Sequence, residues 1–212
     1  MIDRRELLSR SRLYFITDLR PDIGSVLAAA LDGGVDMVQL RDKHASDEQL
    51  LEAASLFRGL CDEHDALFWL NDRPDLALRA GADGVHVGQD DQPVEQVREQ
   101  VGPDVLVGLS THSPEQLERA LGGGADELSV GPVYETPTKE GRPAAGLGYV
   151  RHAAATAGER PWFAIGGIDL DNVDAVVEAG ARRLAVVRVL RDSHDPAAAA
   201  AALRSRLEGV PA

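Results

Sequence analysis

Three short stretches carry side chains suited to holding phosphate or a cation that bridges to it. In Val38-Gln39-Leu40-Arg41-Asp42-Lys43, strand alternation sends Val38 and Leu40 to one face and Gln39 and Arg41 to the other, with Lys43 just beyond. An amide and two cations on one side form an anion site, and an arginine fork can grip phosphate through two hydrogen bonds. Leu70-Asn71-Asp72-Arg73 and Val87-Gly88-Gln89-Asp90-Asp91 each run into carboxylates. Carboxylates beside an anion site make sense when a hard cation bridges them, and Mg2+ takes one or two carboxylates plus phosphate oxygens. Each stretch also has a plainer reading: a solvated strand end for the first, turn formers or helix caps for the others. Only their combination points to a metal-assisted diphosphate site.

A second anion site is expected where Ile165-Gly166-Gly167-Ile168 and Val186-Val187-Arg188 follow strands, with backbone N–H groups at a short helix start. It suits a monophosphate. Between the two sites runs the longest connection, from Gly131 to about Gly148, rich in Pro, Gly and Thr and carrying Lys139. Such a loop reads as a lid or binding loop. Nucleophilic catalysis has no support: no Ser-His-Asp arrangement is evident, and Ser110-Thr111-His112 lacks the glycines of a nucleophile elbow. The six histidines show no metal-type spacing. His86, inside an apolar run, reads as a hydrogen-bonded core residue, whereas His44 and His112 either touch a ligand or serve as caps or surface groups. Gly122-Gly123-Gly124 precedes a strand and reads as a helix stop rather than a phosphate loop.

The elements that must position these groups follow from a repeat. Gly34-Val35-Asp36, Gly81-Ala82-Asp83, Gly124-Ala125-Asp126 and Gly180-Ala181-Arg182 each follow a helical stretch and open an apolar strand. The glycine is expected to adopt the left-handed helix stop. Four further strands lie between them, at Leu13–Thr17, Leu67–Leu70, Val105–Leu109 and Trp162–Ile165. Helix signals fill the gaps, such as Ser46 ahead of Asp47–Glu63 and Ser113-Pro114 ahead of Glu115. Strict alternation gives a parallel sheet covered by helices. Eight units favour closure into a (β/α)8 TIM barrel over an open doubly wound sheet, whose glycine-rich fingerprint is missing after the first strand. The expectation is one α/β domain over residues 1–212, with residues 1–11 as an N-terminal helical extension. In a barrel, all the phosphate-competent stretches fall at the C-terminal ends of strands.

Composition narrows the partners. The chain has 212 residues and a formal charge of −13, which argues against nucleic acid and against anionic membrane surfaces. No apolar run reaches a membrane span and the first residues are no signal peptide; with Cys61 as the only cysteine, a cytoplasmic setting is expected. The expected partners are small phosphorylated molecules, and the composition is compatible with a homo-oligomer. Of the 22 basic residues 20 are Arg, and the two lysines, Lys43 and Lys139, both fall in the phosphate-competent stretches.

Taken in order, Gln39-Leu40-Arg41-x-Lys43, Asn71-Asp72, Gly84-Val85-His86-Val87-Gly88-Gln89-x-Asp91, Gly108-x-Ser110, Gly131-Pro132-x-Tyr134-x-Thr136-x-Thr138-Lys139 and Ile165-Gly166-Gly167-Ile168 resemble the thiamine-phosphate synthase family. The resemblance runs from about Tyr14 to Arg188. It implies a transferase that joins a hydroxymethylpyrimidine diphosphate to a thiazole phosphate, releasing pyrophosphate. It also implies that Gln39, Arg41, Lys43, Asn71, Ser110 and Lys139 hold the pyrimidine diphosphate, with Arg41, Lys43 and Lys139 acting in catalysis. Asp72 and Asp91 would hold Mg2+. Thr136, Thr138, Gly167, Val187 and Arg188 would surround the thiazole phosphate, although the family usually has a small Ser where Arg188 stands. Two rivals are a thiazole tautomerase of the same superfamily and a non-catalytic phosphate-metabolite barrel; both acidic positions and the Thr-x-Thr-Lys loop favour the synthase. Phosphorylated substrates must then be drawn in by local cations against a repulsive global field. Catalytic efficiency is therefore expected to rise with moderate salt in a kcat/KM titration, and a steep fall would contradict this.

Overall fold

The computed structural model describes residues 3–136 and 143–208. Eight parallel strands close into a barrel in chain order: β1 (Leu13–Thr17), β2 (Met37–Leu40), β3 (Leu67–Asn71), β4 (Gly84–Val87), β5 (Leu106–Thr111), β6 (Glu127–Val130), β7 (Trp162–Ile165) and β8 (Leu184–Val186). Closure is direct, with Leu13 paired to Leu184 and Phe15 to Val186. Outside lie α2 (Ile23–Asp32), α3 (Asp47–Glu63), α4 (Pro74–Ala77), α5 (Val94–Val101), α6 (Pro114–Leu121), α7 (Gly146–Thr156), α8 (Val173–Glu178), α9 (Arg188–Arg191) and α10 (Pro196–Glu208), while α1 (Arg4–Arg10) precedes the barrel. The caps read from sequence hold for α3 and α6: Ser46 and Gln49 form a reciprocal capping box, and Ser113 accepts from the Gln116 N–H.

The period-two pattern divides the apolar residues into two cores. Val38, Leu40, Val85, Val87, Leu128 and Val130 face outward and pack under the helices. Tyr14, Ile16, Met37, Leu67, Trp69, Leu106 and Phe163 face inward and fill the barrel. Leu8 of α1 joins the inner set, so the first helix stoppers the barrel. Each such buried side chain contributes about 1.5–3 kcal/mol of transfer free energy.

The repeat has a physical cause beyond the turn. Asp36 Oδ2 accepts the N–H groups of Arg12 and Leu13 at the start of β1 and also binds Arg204 of α10. Asp83 Oδ2 accepts the Phe68 N–H at 2.9 Å and the Arg58 guanidinium, while its other oxygen takes Arg4 at 2.8 Å. Asp126 Oδ2 accepts the Val107 N–H at 2.8 Å and binds Arg98. In each case the carboxylate before an even strand clamps the start of the preceding odd strand and anchors a helix arginine. The fourth copy has Arg182 in this place, and its neighbour Arg183 instead donates to the carbonyls of Ser9 and Ser11. The glycines depart from expectation in one copy. Gly34, Gly81 and Gly180 adopt positive φ, but Gly124 does not, because α6 ends in the turn of Gly122 and Gly123 before the strand begins.

Asp83→Ala orphans a buried strand N–H and breaks two guanidinium pairs, with Arg58 and Arg4. It is expected to lower stability by about 2–4 kcal/mol in urea unfolding while leaving kcat per folded molecule unchanged.

Candidate active site

At the C-terminal ends of the strands the barrel opens into a cavity of about 660 Å3. Gln39, Arg41 and Lys43 form one wall of it, as their alternation on β2 requires. Gln39 is 1 % exposed and donates its amide to the Tyr14 hydroxyl at 2.6 Å. Burial first, and the Glu127 charge second, push the Tyr14 phenol far above its usual pKa, so it stays a neutral acceptor. Arg41 makes no ion pair among the described residues, which leaves its guanidinium facing the cavity for a ligand. Lys43, its side chain 60 % exposed, stands 3.8 Å from Asp72.

The carboxylates come from the neighbouring strand ends. Asp72 sits just past β3 at φ 57°, where its N–H continues the ladder to the His86 carbonyl at 2.9 Å and its side chain turns into the cavity with Asn71. Asp91, anchored by the Gly88 N–H at 2.8 Å, stands against it. Burial first, and then the Asp91 charge, raise the Asp72 carboxyl above its ordinary range, against the pull of Lys43. Two hard oxygen donors held together at such a cost fit a divalent cation that completes its shell from phosphate and water. No cluster of three or more His, Cys, Asp or Glu able to hold a metal ion occurs among the described residues.

The remaining wall comes from β6, β7 and β8. Thr136, Gly167, Val187 and Arg188 all line the cavity. Gly166 and Gly167 have φ 104° and 67°, and a Cβ on either would run into Pro132 or Tyr134. The two loops interlock through Val133 N–H to Ile165 O and Tyr134 N–H to Gly166 O. This explains why Gly131-Pro132 and Gly166-Gly167 occur together. Arg188 opens α9 and forms no ion pair among the described residues.

Every described residue predicted for the site therefore meets in one cavity, including Ser110 on its floor. Thr138 and Lys139 lie outside the described residues. His112 lines the cavity with its ring on the Gly131 carbonyl, whereas His44 does not reach it. Cys61 is fully buried and its thiol is pushed up to about 12, which disqualifies it as a nucleophile. Sequence reading missed one arrangement: His86 bridges Glu127 Oε2 at 3.0 Å and Ser110 Oγ at 2.9 Å. Its three members lie on β4, β5 and β6, so no spacing in the chain announces it. The glycine at position 108 was the available signal, because its missing side chain makes the room.

A barrel whose mouth gathers cations, paired carboxylates and a glycine cradle has the layout of enzymes that handle phosphorylated small molecules. Comparison with known proteins specifies which. Residues 13–190 match the family described as thiamine monophosphate synthase. The chain is 54 % identical over 206 residues to a thiamine-phosphate synthase of Thermus thermophilus, covering 94 % of this chain and 98 % of that one. It is 52 % identical over 204 residues to that of Acidothermus cellulolyticus, covering 94 % and 96 %. A solved thiamine phosphate pyrophosphorylase from Pyrococcus furiosus superposes with a TM-score of 0.88 at 35 % identity, covering 97 % of this chain and all of that one. The chain belongs to the thiamine monophosphate synthase family and is a transferase of thiamine biosynthesis.

The raised Asp72 pKa gives a linkage prediction. The folded protein holds this proton more tightly than the unfolded chain does. Asp72 thus favours folding at low pH, and that contribution is lost as pH rises from 3.8 through the raised value. Asp72→Asn tolerates the left-handed backbone and removes the charge. It is expected to raise the metal-free Tm at pH 7, and Mg2+ is expected to raise the Tm of the wild type but not that of the variant. Equal Mg2+ stabilisation of both proteins in thermal scans would contradict the pairing.

Proposed function

We propose that this chain joins 4-amino-2-methyl-5-hydroxymethylpyrimidine diphosphate to 4-methyl-5-(2-phosphoethyl)thiazole, giving thiamine phosphate and pyrophosphate, or to the carboxylated form of that thiazole, giving the same two products and CO2. The observation that carries this reading is the convergence of two anion-binding sets in one cavity. Gln39, Arg41, Lys43, Asn71 and Ser110 hold the pyrimidine diphosphate, joined by Lys139. Thr136, Gly167, Val187 and Arg188, joined by Thr138, hold the thiazole phosphate, where the first turn of α9 leaves N–H groups without helical partners.

Asp72 and Asp91 would hold Mg2+, which when bound neutralises charge on the pyrophosphate. The reaction is dissociative: the methylene C–O bond breaks with both electrons leaving on pyrophosphate, and the electron-rich aminopyrimidine stabilises the carbocation. The thiazole nitrogen then donates its lone pair to form the new C–N bond. No proton leaves the nucleophile, so no general base is needed and the buried Cys61 thiol is no loss. Arg41, Lys43 and Lys139 act by positioning the diphosphate and offsetting the charge that develops on it. A cytoplasmic setting suits this chemistry and the reduced Cys61; no described helix is long and apolar enough to cross a membrane.

Mixing both substrates with Mg2+ is expected to release pyrophosphate only when both are present, read by a coupled phosphate assay. Arg41→Ala should lower kcat/KM on the order of 10²–10³-fold, as loss of a transition-state charge contact does. Binding without turnover, or turnover of the thiazole alone, would transfer the chain to a sensor or a tautomerase role.

A further inference from the structure

Glu127 is 0 % exposed inside the barrel, an unusual place for a carboxylate, and the anion-binding groups at the mouth do not use it. It reaches His86 across an intervening strand. Gly108 of β5 lies between His86 of β4 and Glu127 of β6 in register, and a Cβ there would collide with Glu127 Oε2 and His86 Nδ1. The barrel thus omits a side chain where these two meet. Both Glu127 oxygens are occupied: Oε2 faces His86 Nδ1 at 3.0 Å, and Oε1 accepts from Ser129 Oγ at 3.1 Å. The other His86 nitrogen lies 2.9 Å from Ser110 Oγ. Ser110 and Ser129 are the two hydroxyls of the cavity lining nearest this assembly.

The hydrogen count then follows. A carboxylate can only accept, so it fixes the Ser129 hydrogen downward and holds the His86 proton on Nδ1. In the neutral ring Nε2 must then accept, and it takes the Ser110 hydrogen. Both floor hydroxyls are left presenting lone pairs to the cavity. A floor that only accepts matches a ligand edge that donates N–H and rejects one that presents oxygen at the same point, because two acceptors cannot share a proton that neither carries.

We propose that Glu127 is a positioning residue that acts through His86 and Ser129 to make this floor acceptor-only, and so selects a 4-aminopyrimidine over its 4-oxo analogue. The substrate half of this inference rests on the function proposed above; the hydrogen arrangement does not.

Two readouts test it. In 15N spectra of the histidine-labelled wild-type protein at assay pH, His86 is expected as the neutral ring protonated on Nδ1, and Glu127→Gln, which keeps the shape, should disturb that state. In kinetics with the 4-amino and 4-oxo pyrimidine diphosphates, the wild type should favour the amino form by at least about 10²-fold in kcat/KM. Glu127→Gln should narrow that ratio by about tenfold or more, whereas a merely structural role would lower both rates and leave the ratio alone. A His86 ring protonated on Nε2 alone or on both nitrogens in the wild type overturns the hydrogen arrangement, even if the variant fails to fold. The expected ring state together with an unchanged ratio overturns the selectivity. No turnover of either pyrimidine by the wild type would overturn the functional reading instead, with the 15N result still deciding the arrangement.

Discussion

A carboxylate accepting backbone N–H groups at the start of the preceding strand while holding an arginine from a helix is the interaction on which the rest of this barrel depends. Asp36, Asp83 and Asp126 each do this at the N-terminal end of the sheet. Strand starts are where a parallel ladder runs out of partners, and orphaned N–H groups there cost free energy. By capping them and binding a helix arginine at once, one residue type registers two strands and a helix together. Arginine suits the task better than lysine because its fork can satisfy several acceptors in one plane, as Arg58 does with Asp83, Asp62 and the Ala66 carbonyl. The composition bias toward arginine therefore records much of how the fold is held.

With stability concentrated below, the upper face is free to hold groups that a stable fold would otherwise avoid. Asp72 in a left-handed conformation against Asp91, and Arg41 facing open space, are costs that make sense only toward a ligand. Inside the barrel Glu127, His86, Ser110 and Ser129 form a buried polar group beside the apolar filling of Trp69, Leu106 and Phe163. Gly108 is the point at which the barrel gives up packing to admit that group.

Much of this was legible in the chain. Strand alternation alone set Gln39 and Arg41 apart from Val38 and Leu40, and the structure keeps that division. The repeat located four of the eight strands, and the glycine pair at 166 and 167, read as an anion cradle, does line the cavity, though its close approach to Pro132 and Tyr134 was not foreseen. The role of the repeated aspartate was not legible, because its partners, such as Arg204 for Asp36, lie far away in sequence. The Glu127–His86–Ser110 line was hidden for the same reason: its contacts cross strands, and Glu127 opens a strand where a solvated charge is the ordinary reading. Gly124 looked like its counterparts but ends no helix in the left-handed form, since two further glycines precede it.

The scarcity of lysine has a practical side. Guanidinium groups do not react with amine-selective acylating reagents, so labelling is confined to the N-terminal amine, Lys43 and Lys139. Lys43 is mostly exposed beside Asp72 at the barrel mouth, whereas the fold-holding cations are arginines and escape modification. Acylation of Lys43 therefore erases charge at the barrel mouth while sparing the scaffold arginines, and protection of Lys43 becomes a direct footprint of whatever occupies that mouth.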